Sequence, residues 1–405
     1  MGEKLRHIVP DDRYNHQQSS LEQSKCYYSR LIEEDRVGYS SEFGGFYVLS
    51  DHETVRKSLS DWEKFSSAQG VRLPMRPGPR IVSLEMDSTE HAEWRRLFLR
   101  ALTPKRLASF AADIEHMCDE LIDAFAPTGK CELVHDFCMQ LPVRAVMRVV
   151  GLDEVDCSAV VKTAMIIAPG ATDAETARRG LADFADMTMR AVEARRATPR
   201  DDYLTEVINA RVAGQLIPDE LLCNFMLGFF TAGHESTTTA LGCTLFYVLK
   251  EPGLRDRILA EPKLLSAAME EALRLHAPFT NFFRTTTCPV NVKGTVIPGG
   301  QKVMLAYDGA NRDPNVFPEP DKFRLDRPPR EHIAFGYGAH LCAGQHFARM
   351  EIELAVRRLL TKLPDIEILT DTLDQEIHGS TIVVNRALPA RFTPPVAKNG
   401  PSGND

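Results

Sequence analysis

Several common signatures are missing from this chain of 405 residues. Its nine cysteines are scattered and form no Cys-x-x-Cys pair, so the sequence indicates neither a zinc site nor a disulfide framework, and a reducing cytoplasm is expected. No Gly-x-Gly-x-x-Gly string occurs, which leaves no predicted flavin or nicotinamide site. The net charge of −8 gives no electrostatic basis for binding nucleic acid.

The chain also has no apolar run near its beginning, where residues 1–20 are polar. We therefore expect neither a signal peptide nor a membrane anchor. Hydrophobic residues make up 43% of the sequence, which is enough to bury a large core. Since the sequence shows no internal repeat and no linker, we predict a single, monomeric domain over residues 1–405, with disordered polar ends near 1–20 and 394–405.

Helical periodicity dominates the middle of the chain, from residue 89 to about residue 249. Breaks in it are predicted at Thr103-Pro104, 127–129, Pro169-Gly170 and 214–218. The longest apolar run is 218–250, where we expect one uninterrupted helix that is buried on nearly all sides. Strands are predicted in GFYVLS, PVNVKGTVIPGG, VMLAYD, PDIEIL and STIVVN, and further helices in HETVRKSLSD, SAAMEEALRLH and QHFARMEIELAVRRLLTKL.

Residues 335–344, with the sequence FGYGAHLCAG, place a cysteine in a glycine-rich turn just before a helix. Glycines permit positive φ angles and let a flat ligand approach the backbone. The N-terminus of the following helix favours an anionic sulfur, so we predict a lowered pKa for the Cys342 thiol and a thiolate that can bind a metal. Phe335 is predicted to shield this sulfur from water. The alternatives are a buried free cysteine, and a zinc site of His340, Cys342 and His346 that lacks a fourth ligand at usable spacing.

The segment AGHEST, which begins at Ala232, lies midway along the long apolar run. A charged Glu235 in such surroundings costs free energy and needs a function or a partner. The small residues Ala232 and Gly233 allow a cofactor plane to approach the helix. Glu235 and Ser236 can pass protons to a ligand bound beside the helix, and Thr237 is the next hydroxyl along the chain. The alternative is a helix kink stabilised by the hydroxyls, with Glu235 paired to a core arginine.

The string at 335–344 resembles the haem-binding signature of the cytochrome P450 family, Phe-x-x-Gly-x-His-x-Cys-x-Gly, at every defined position. Likeness to soluble bacterial members extends from about Phe46 to Phe392. The resemblance implies a mainly α fold with small β-sheets, namely the triangular prism of that family with a long central helix over the haem. It also implies haem b (iron protoporphyrin IX) as the cofactor and Cys342 as the ligand of its iron.

Further site residues follow from the resemblance. Haem propionates need cationic donors, and by position these are His91, Arg95, Arg284 and His340. The full cofactor-binding set that the resemblance implies is His91, Arg95, Ala232, Gly233, Arg284, Phe335, Gly336, His340, Cys342 and Gly344. Ser236 stands where the family's Ala-Gly-x-(Asp/Glu)-Thr-Thr motif has threonine, so the hydroxyl is kept while its rotamer is less constrained.

Glu271 and Arg274 resemble the family's Glu-x-x-Arg motif, with an i, i+3 spacing on one helix face. Alone, such a pair is usually a solvated surface contact. The resemblance favours a buried, structural pair instead. Its third partner is commonly an arginine where this chain has Lys322, which cannot make a planar bidentate contact, so we expect a looser network or recruitment of Arg324 or Arg327.

By position in the family, the walls of the substrate pocket are aliphatic and aromatic, which predicts an apolar small-molecule substrate. The predicted pocket residues are Arg72, Leu73, Met75, Ile166, Phe229, Phe279, Phe282 and Ile382. Arg72 and Arg76 are candidates for binding a carboxylate or phenolate, and the alternative is that they are solvated loop arginines.

Because the sequence has no flavin or nicotinamide motif, electrons are expected from a separate ferredoxin or flavodoxin with its NAD(P)H-dependent reductase, as in similar bacterial enzymes. A basic docking face for this acidic partner is predicted from Arg96, Arg100, Lys105, Arg106, Arg349 and Arg357. The alternative is a scattered solvated surface.

The function that the resemblance implies is a haem-thiolate monooxygenase. Such an enzyme inserts one atom of O2 into an apolar organic substrate, most simply by hydroxylation. The alternatives are a peroxygenase or an epoxidation or coupling enzyme on the same haem site, and a non-enzymatic haem-binding sensor.

Overall fold

The computed structural model describes residues 15–75, 80–152, 159–160, 163, 174–328 and 331–395. The predicted break at Pro169-Gly170, the pocket residue Ile166 and the loop residue Arg76 lie outside the described residues, as does most of the two predicted disordered ends. In the described part of the chain, no helix is both long enough and apolar enough to span a membrane.

The first half of the described chain is mainly helical, as the periodicity predicts. Its helices are α1 (Leu21–Glu33), α2 (His52–Ser60), α3 (Ser88–Ala101), α4 (Pro104–Phe125), α5 (Gln140–Val150), α6 (Ala174–Ala197) and α7 (Tyr203–Ile208), with a π-helical turn at Val134–Cys138 and short 3-10 turns at Glu42–Gly44 and Ala126–Thr128. Its strands are β1 (Gly38–Ser40), β2 (Phe46–Leu49), β3 (Phe65–Ser66), β4 (Lys130–Glu132), β5 (Arg211–Val212) and β6 (Gln215–Leu216).

The second half combines long helices with short strands. Its helices are α8 (Asp219–Gly233), α9 (Glu235–Lys250), α10 (Leu254–Ala260), α11 (Lys263–Leu275), α12 (Tyr307–Ala310) and α13 (Gln345–Lys362), with a 3-10 turn at Gly338–His340. Its strands are β7 (Asn281–Thr286), β8 (Val290–Val292), β9 (Thr295–Ile297), β10 (Lys302–Ala306), β11 (Glu367–Ile368), β12 (Asp374–His378), β13 (Ile382–Ala387) and β14 (Pro389–Arg391).

The largest sheet has five strands in the order β1-β2-β10-β7-β3. Strands β2 and β10 are parallel, with Val48 opposite Met304, whereas β10 and β7 are antiparallel, with Met304 opposite Phe283. Apolar residues on these strands are buried together with α1. The sheet therefore fixes β7, which carries Arg284, against the helical part of the protein.

The helical core is built around α9, α11 and α13. Helix α13 packs against α4, α9 and α11, and α9 packs against α11 and β13. The buried face of α13 includes Ile352, Val356 and Leu359, and that of α4 includes Ile114 and Ile122. Burial of such aliphatic side chains is the main favourable term in folding. These contacts hold the start of α13, just after Cys342, in place.

The prediction of one uninterrupted helix over 218–250 is wrong. Helix α8 ends at Gly233, α9 begins at Glu235, and His234 lies between them with φ −88° and ψ −76°. Ser236 Oγ donates to the carbonyl of Ala232 at 2.7 Å, and Thr238 Oγ1 donates to that of His234 at 3.0 Å. Hydroxyls that bond back to helix carbonyls compete with the backbone ladder and bend it.

Candidate active site

The cysteine loop leads from residue 333 into α13. The N–H of Cys342 donates to the carbonyl of Phe335 at 2.8 Å. Gly336 and Gly338 both have a φ of 70°, in the left-handed region that favours glycine. A Cβ at Gly338 would lie 2.4 Å from the carbonyl oxygen of Leu59, so this position admits no side chain. The loop conformation therefore depends on its glycines, as the sequence predicts.

The Cys342 thiol is subject to opposing influences. Desolvation by the surrounding protein raises its pKa, while the backbone N–H groups of Gly344 and Gln345 and the guanidinium groups of Arg95 and Arg349 lower it. The net direction is upward, so the prediction of a lowered thiol pKa is wrong for the protein without a metal. The helix N-terminus contributes in the expected sense but is outweighed. Coordination to a metal ion deprotonates a thiol outright.

Four side chains that can carry positive charge meet beside this loop: His91 and Arg95 from α3, Arg284 from β7, and His340. The rings of His91 and His340 have centroids 4.2 Å apart. Arg95 donates to the carbonyl of Leu341. Burial, together with the charges of Arg284, His91 and Arg95, lowers the pKa of His340 to about 2.

These four side chains have little compensation from acidic groups. Within the described residues, no carboxylate forms an ion pair with Arg95 or Arg284, and His91 Nε2 is buried without a hydrogen-bond partner. The Asp87 carboxylate is committed to the N–H of Ser67, at 3.0 Å. Buried cationic groups without counter-charges cost free energy. The cluster therefore fits an anionic group, such as the propionates of a haem whose iron binds Cys342.

The end of α8 carries the two small residues, Ala232 and Gly233, that were predicted to let a cofactor approach. Ala232 is exposed although Phe229 and Phe230 before it and Thr237 after it are buried, so Ala232 faces open space within the helical region. Gly233 has a different role from the one predicted. A Cβ there would lie 2.8 Å from Val146 Cγ2, so Gly233 allows α8 to pack closely on α5 rather than admitting the cofactor plane.

Glu235 stands at the first position of α9, just after the helix break. Burial raises its pKa, which the charges of His378 and Arg72 oppose. In the part of the chain that the structure describes, Glu235 has no ion pair with an arginine, so the alternative of a salt-bridged core carboxylate is not supported. A carboxyl group with a raised pKa and no fixed partner is protonated more readily than an ordinary glutamate, which suits proton exchange.

Glu271 and Arg274 form a buried bidentate pair on α11, with both N–O distances 2.8 Å. Arg274 also donates to the carbonyls of Asn311 and Pro320. The third partner of Glu271 is Arg327, whose Nε lies 2.8 Å from Oε1.

The other candidates near this pair make different contacts. Lys322 pairs with Glu319 instead of Glu271. Arg324 gives its backbone N–H to Glu271, but its guanidinium pairs with Asp326. Of the two arginines predicted as alternatives to Lys322, Arg327 is therefore the one whose guanidinium pairs with Glu271.

The predicted pocket residues divide into two groups. Arg72 lies over the ring of Phe279, 5.7 Å from its centroid, and Phe279 bridges to Ile382 and packs against Phe282. The structure thus brings these four together. Three others lie elsewhere: Phe229 packs among Phe98, Phe225 and Tyr203, Leu73 is buried against the large sheet, and Met75 is 63% exposed.

The prediction that Arg349 belongs to a docking face at the surface is wrong. Arg349 is only 8% exposed, so it cannot belong to the predicted docking face, and it pairs with Glu270 and lies over the ring of Phe335. Glu270 and its other partner, His332, were not predicted as site residues. The adjacent glutamates at 270 and 271 and the histidine just before the loop were the available signals.

The glycine-rich turn around Cys342, the basic side chains beside it and the break in the apolar helix together fit one class of protein, the haem proteins with a thiolate ligand. The sequence model of the cytochrome P450 family matches residues 159–386. The chain is 31% identical over 356 residues to a steroid C26-monooxygenase of Mycolicibacterium smegmatis, covering 86% of this chain and 88% of the relative. It is 32% identical to the mycinamicin IV hydroxylase/epoxidase of Micromonospora griseorubida, covering 80% and 83%.

Solved structures agree with this assignment. CYP108D1 from Novosphingobium aromaticivorans matches with a TM-score of 0.83 at 25% identity, covering 92% of this chain and 96% of that one. The chain belongs to the cytochrome P450 family. It is a haem-thiolate monooxygenase that binds haem b and acts on a small molecule with O2, which confirms the predicted family, fold class and cofactor.

Proposed function

We propose that this enzyme hydroxylates an apolar organic substrate, with protons supplied through Glu235 and Ser236 and electrons supplied by a separate protein. The observation that carries the assignment of the site is the cluster of His91, Arg95, Arg284 and His340 beside Cys342, which has no ion-paired carboxylate in the described chain. When bound, haem with a thiolate ligand would supply O2 activation for the insertion of one oxygen atom.

The chain's own residues hold and orient this group. The sulfur of Cys342 would bind the iron, and the guanidinium groups of Arg95 and Arg284, with hydrogen bonds from His91 and His340, would bind the propionates. The loop glycines allow the backbone of 335–344 to lie close to the porphyrin plane. Ala232, a small exposed residue at the end of α8, would leave room for substrate and O2 beside the haem.

Proton delivery is assigned to the helix break. Ser236 Oγ hydrogen-bonds to the carbonyl of Ala232, which places the hydroxyl at the same turn as the exposed alanine. Glu235 precedes it and has a raised pKa because of burial. We assign Glu235 as the group that exchanges protons with solvent, Ser236 as the hydroxyl that passes them on, and Thr237 as a supporting hydroxyl.

The substrate pocket is assigned to the group around Phe279. Phe279, Phe282 and Ile382 present apolar surface, which supports an apolar substrate, and Arg72 at its edge can bind a polar group of the same molecule. One of the two relatives is named a monooxygenase and the other a hydroxylase/epoxidase, so hydroxylation and epoxidation both fit a site of this kind.

Electrons are proposed to come from a ferredoxin or flavodoxin with its NAD(P)H-dependent reductase. Of the predicted docking residues, Arg349 is buried, Arg100 and Arg106 are paired with Glu206, and Arg357 is paired with Glu353. The docking proposal therefore rests on Arg96 and Lys105 at the surface of α3 and α4. We further propose one domain and a monomeric cytoplasmic enzyme.

The test compares two sources of oxidising equivalents with the same purified haem protein. Candidate apolar compounds are first selected by the shift of the haem absorption band on binding. Turnover with NAD(P)H, reductase and ferredoxin or flavodoxin, at a rate well above that with hydrogen peroxide, is the expected result. Turnover with peroxide alone would assign a peroxygenase, and ligand binding without any product would support a haem sensor instead.

A further inference from the structure

Glu270 lies beside Glu271 on α11 but binds a different set of side chains. Its Oε1 accepts a hydrogen bond from Arg349 Nε at 2.5 Å, and its Oε2 accepts one from Arg349 Nη2 at 3.0 Å. The same Oε2 accepts a third from His332 Nε2 at 2.9 Å. Glu270, His332 and Arg349 are all buried, so each depends on the others for its hydrogen bonds.

The two partners of Glu270 come from opposite ends of the cysteine loop. His332 lies just before the loop, and its Nδ1 accepts the N–H of Ala334 at 3.2 Å. Arg349 lies near the start of α13, just after the loop. One carboxylate on α11 therefore ties together the chain segments that enter and leave the cysteine loop.

The network continues to the backbone of Cys342. The guanidinium of Arg349 lies over the ring of Phe335, 4.3 Å from its centroid, a cation–π contact. The carbonyl of Phe335 accepts the N–H of Cys342 at 2.8 Å. Arg349 also donates to Gln345 Oε1 at 3.0 Å, and the N–H of Gln345 is among the donors facing the sulfur. Movement of Arg349 would therefore disturb both sides of the ligand.

The neighbouring Glu271 network has another target. Arg274 and Arg327 connect Glu271 to carbonyls at Asn311, Pro318 and Pro320, in the coil that precedes the loop. Adjacent glutamates on α11 thus fix two different segments. The Glu271 network holds the coil, and the Glu270 network holds the loop.

We propose that Glu270, His332 and Arg349 form a positioning clamp that keeps the cysteine loop in the geometry in which Cys342 binds iron as a thiolate. This inference rests on the proposed function, because only a sulfur-bound haem requires the sulfur to be held in this way. The three residues are positioning residues, since they act through the loop rather than on the reacting atoms.

The test uses the reduced carbon-monoxide adduct of purified holoprotein, whose absorption band reports whether the iron is bound by thiolate. Glu270→Gln and Arg349→Gln should each raise, several-fold over wild type, the fraction of adduct that lacks the thiolate band. Arg349→Gln should also lower the reduction potential of the haem, because a positive charge near the sulfur is removed. The double variant should be no worse than the more affected single variant, because both changes break one network.

Matched controls lie on the same helix. Glu353 and Arg357 form an exposed pair at 4.0 Å on α13, and Glu353→Gln and Arg357→Gln should leave the band and the potential unchanged. Arg349→Lys keeps the charge but loses the bidentate contact, so it should fall between wild type and Arg349→Gln.

The clamp would be overturned if Glu270→Gln and Arg349→Gln took up haem and kept the wild-type band and potential. If either variant fails to bind haem, the same spectra of Arg349→Lys and His332→Asn test the clamp instead. Wild-type spectra in both of these variants would reject the clamp. A wild-type protein that lacks the thiolate band would reject the proposed function itself, so the two failures are distinguishable.

Discussion

The carboxyl groups near the cysteine loop and at the helix break differ in their ion pairs and in the direction in which their pKa is shifted. Beside the loop, Glu271 binds the two arginines Arg274 and Arg327, and Glu270 binds Arg349 and His332. Burial opposes ionisation of Glu270, but Arg349 and His332 outweigh it and lower its pKa to about 2. At the break, burial raises the pKa of Glu235, which has no ion-pair partner in the described chain.

The difference separates two tasks. A carboxylate that stays charged and fully hydrogen-bonded fixes the segments around it, which suits a loop that must hold a sulfur atom in one place. A carboxyl group with a raised pKa and no fixed partner can change its protonation during turnover, which suits proton delivery. We therefore assign rigidity to the cysteine loop and proton exchange to the helix break.

Replacing the iron ligand should have the largest effect on this comparison. Cys342→His should retain haem through an imidazole but lower monooxygenase activity by roughly 1,000-fold or more, because the thiolate favours O–O cleavage. The measurement is product formation per haem, together with the band of the reduced carbon-monoxide adduct. Cys138→Ala, at another buried cysteine, is the control and should keep both. Product formed by Cys342→His at the wild-type rate would contradict the ligand assignment.

Breaking the second paired carboxylate should cost stability. Glu271→Ala leaves Arg274 and Arg327 buried without their counter-charge, and we expect the free energy of unfolding to fall by about 3–5 kcal/mol. Denaturant unfolding of the holoprotein measures this. Glu319→Ala, which removes an exposed partner of Lys322, should leave the midpoint where it is. Equal midpoints for the two variants would show that the Glu271 network is not structural.

The hydroxyl at the helix break should control coupling rather than stability. Ser236→Ala should reduce the product formed per electron consumed by roughly 10-fold, because proton transfer to O2 loses its donor. Ser236→Thr should raise coupling above wild type, since the added methyl restricts the rotamer. Thr244→Val removes a similar back-bonded hydroxyl away from the break and should change little. Wild-type coupling in Ser236→Ala would reject the relay.

Glu351 on α13 departs from the pattern beside the loop, and its effect should appear as a change of stability with pH. It is 0% exposed, neither carboxyl oxygen has a partner in the described chain, and burial raises its pKa to about 8. Since the folded-state pKa exceeds the unfolded value, the protein binds a proton on folding. Stability should therefore fall as pH rises from about 4.5 to 8.

Glu351→Gln should remove that slope and stabilise the holoprotein at pH 8, and unfolding midpoints across this pH range measure it. Glu270 should behave in the reverse sense. Because its pKa is lowered to about 2, it contributes stability above pH 4.5 that is lost on acidification toward pH 2. An unchanged pH slope in Glu351→Gln would show that another group carries it.

Local patterns in the sequence predicted much of the fold. The helix at 345–362, the strand at 46–49 and the breaks at 103–104, 127–129 and 214–218 all follow from periodicity, proline and glycine, and are confirmed. The strands β7 and β12 were not predicted, because their residues mix polar and apolar types without a regular alternation. The continuous central helix was wrong, because periodicity does not register the competition of hydroxyls for backbone carbonyls.

By itself, the sequence determined the cysteine ligand, the glycine turn around it and the family, because these depend on residue types at fixed local spacing. Only the tertiary structure decided which charges meet. Arg349 is buried against Glu270 instead of lying at the surface, and Arg327 instead of Lys322 pairs with Glu271. Glu235 has no ion pair in the described chain. Each of these outcomes depends on helices and loops that are distant in the sequence. Ion pairing and burial depend on distances in space, and these distances between residues far apart in the sequence are set only when the chain has folded.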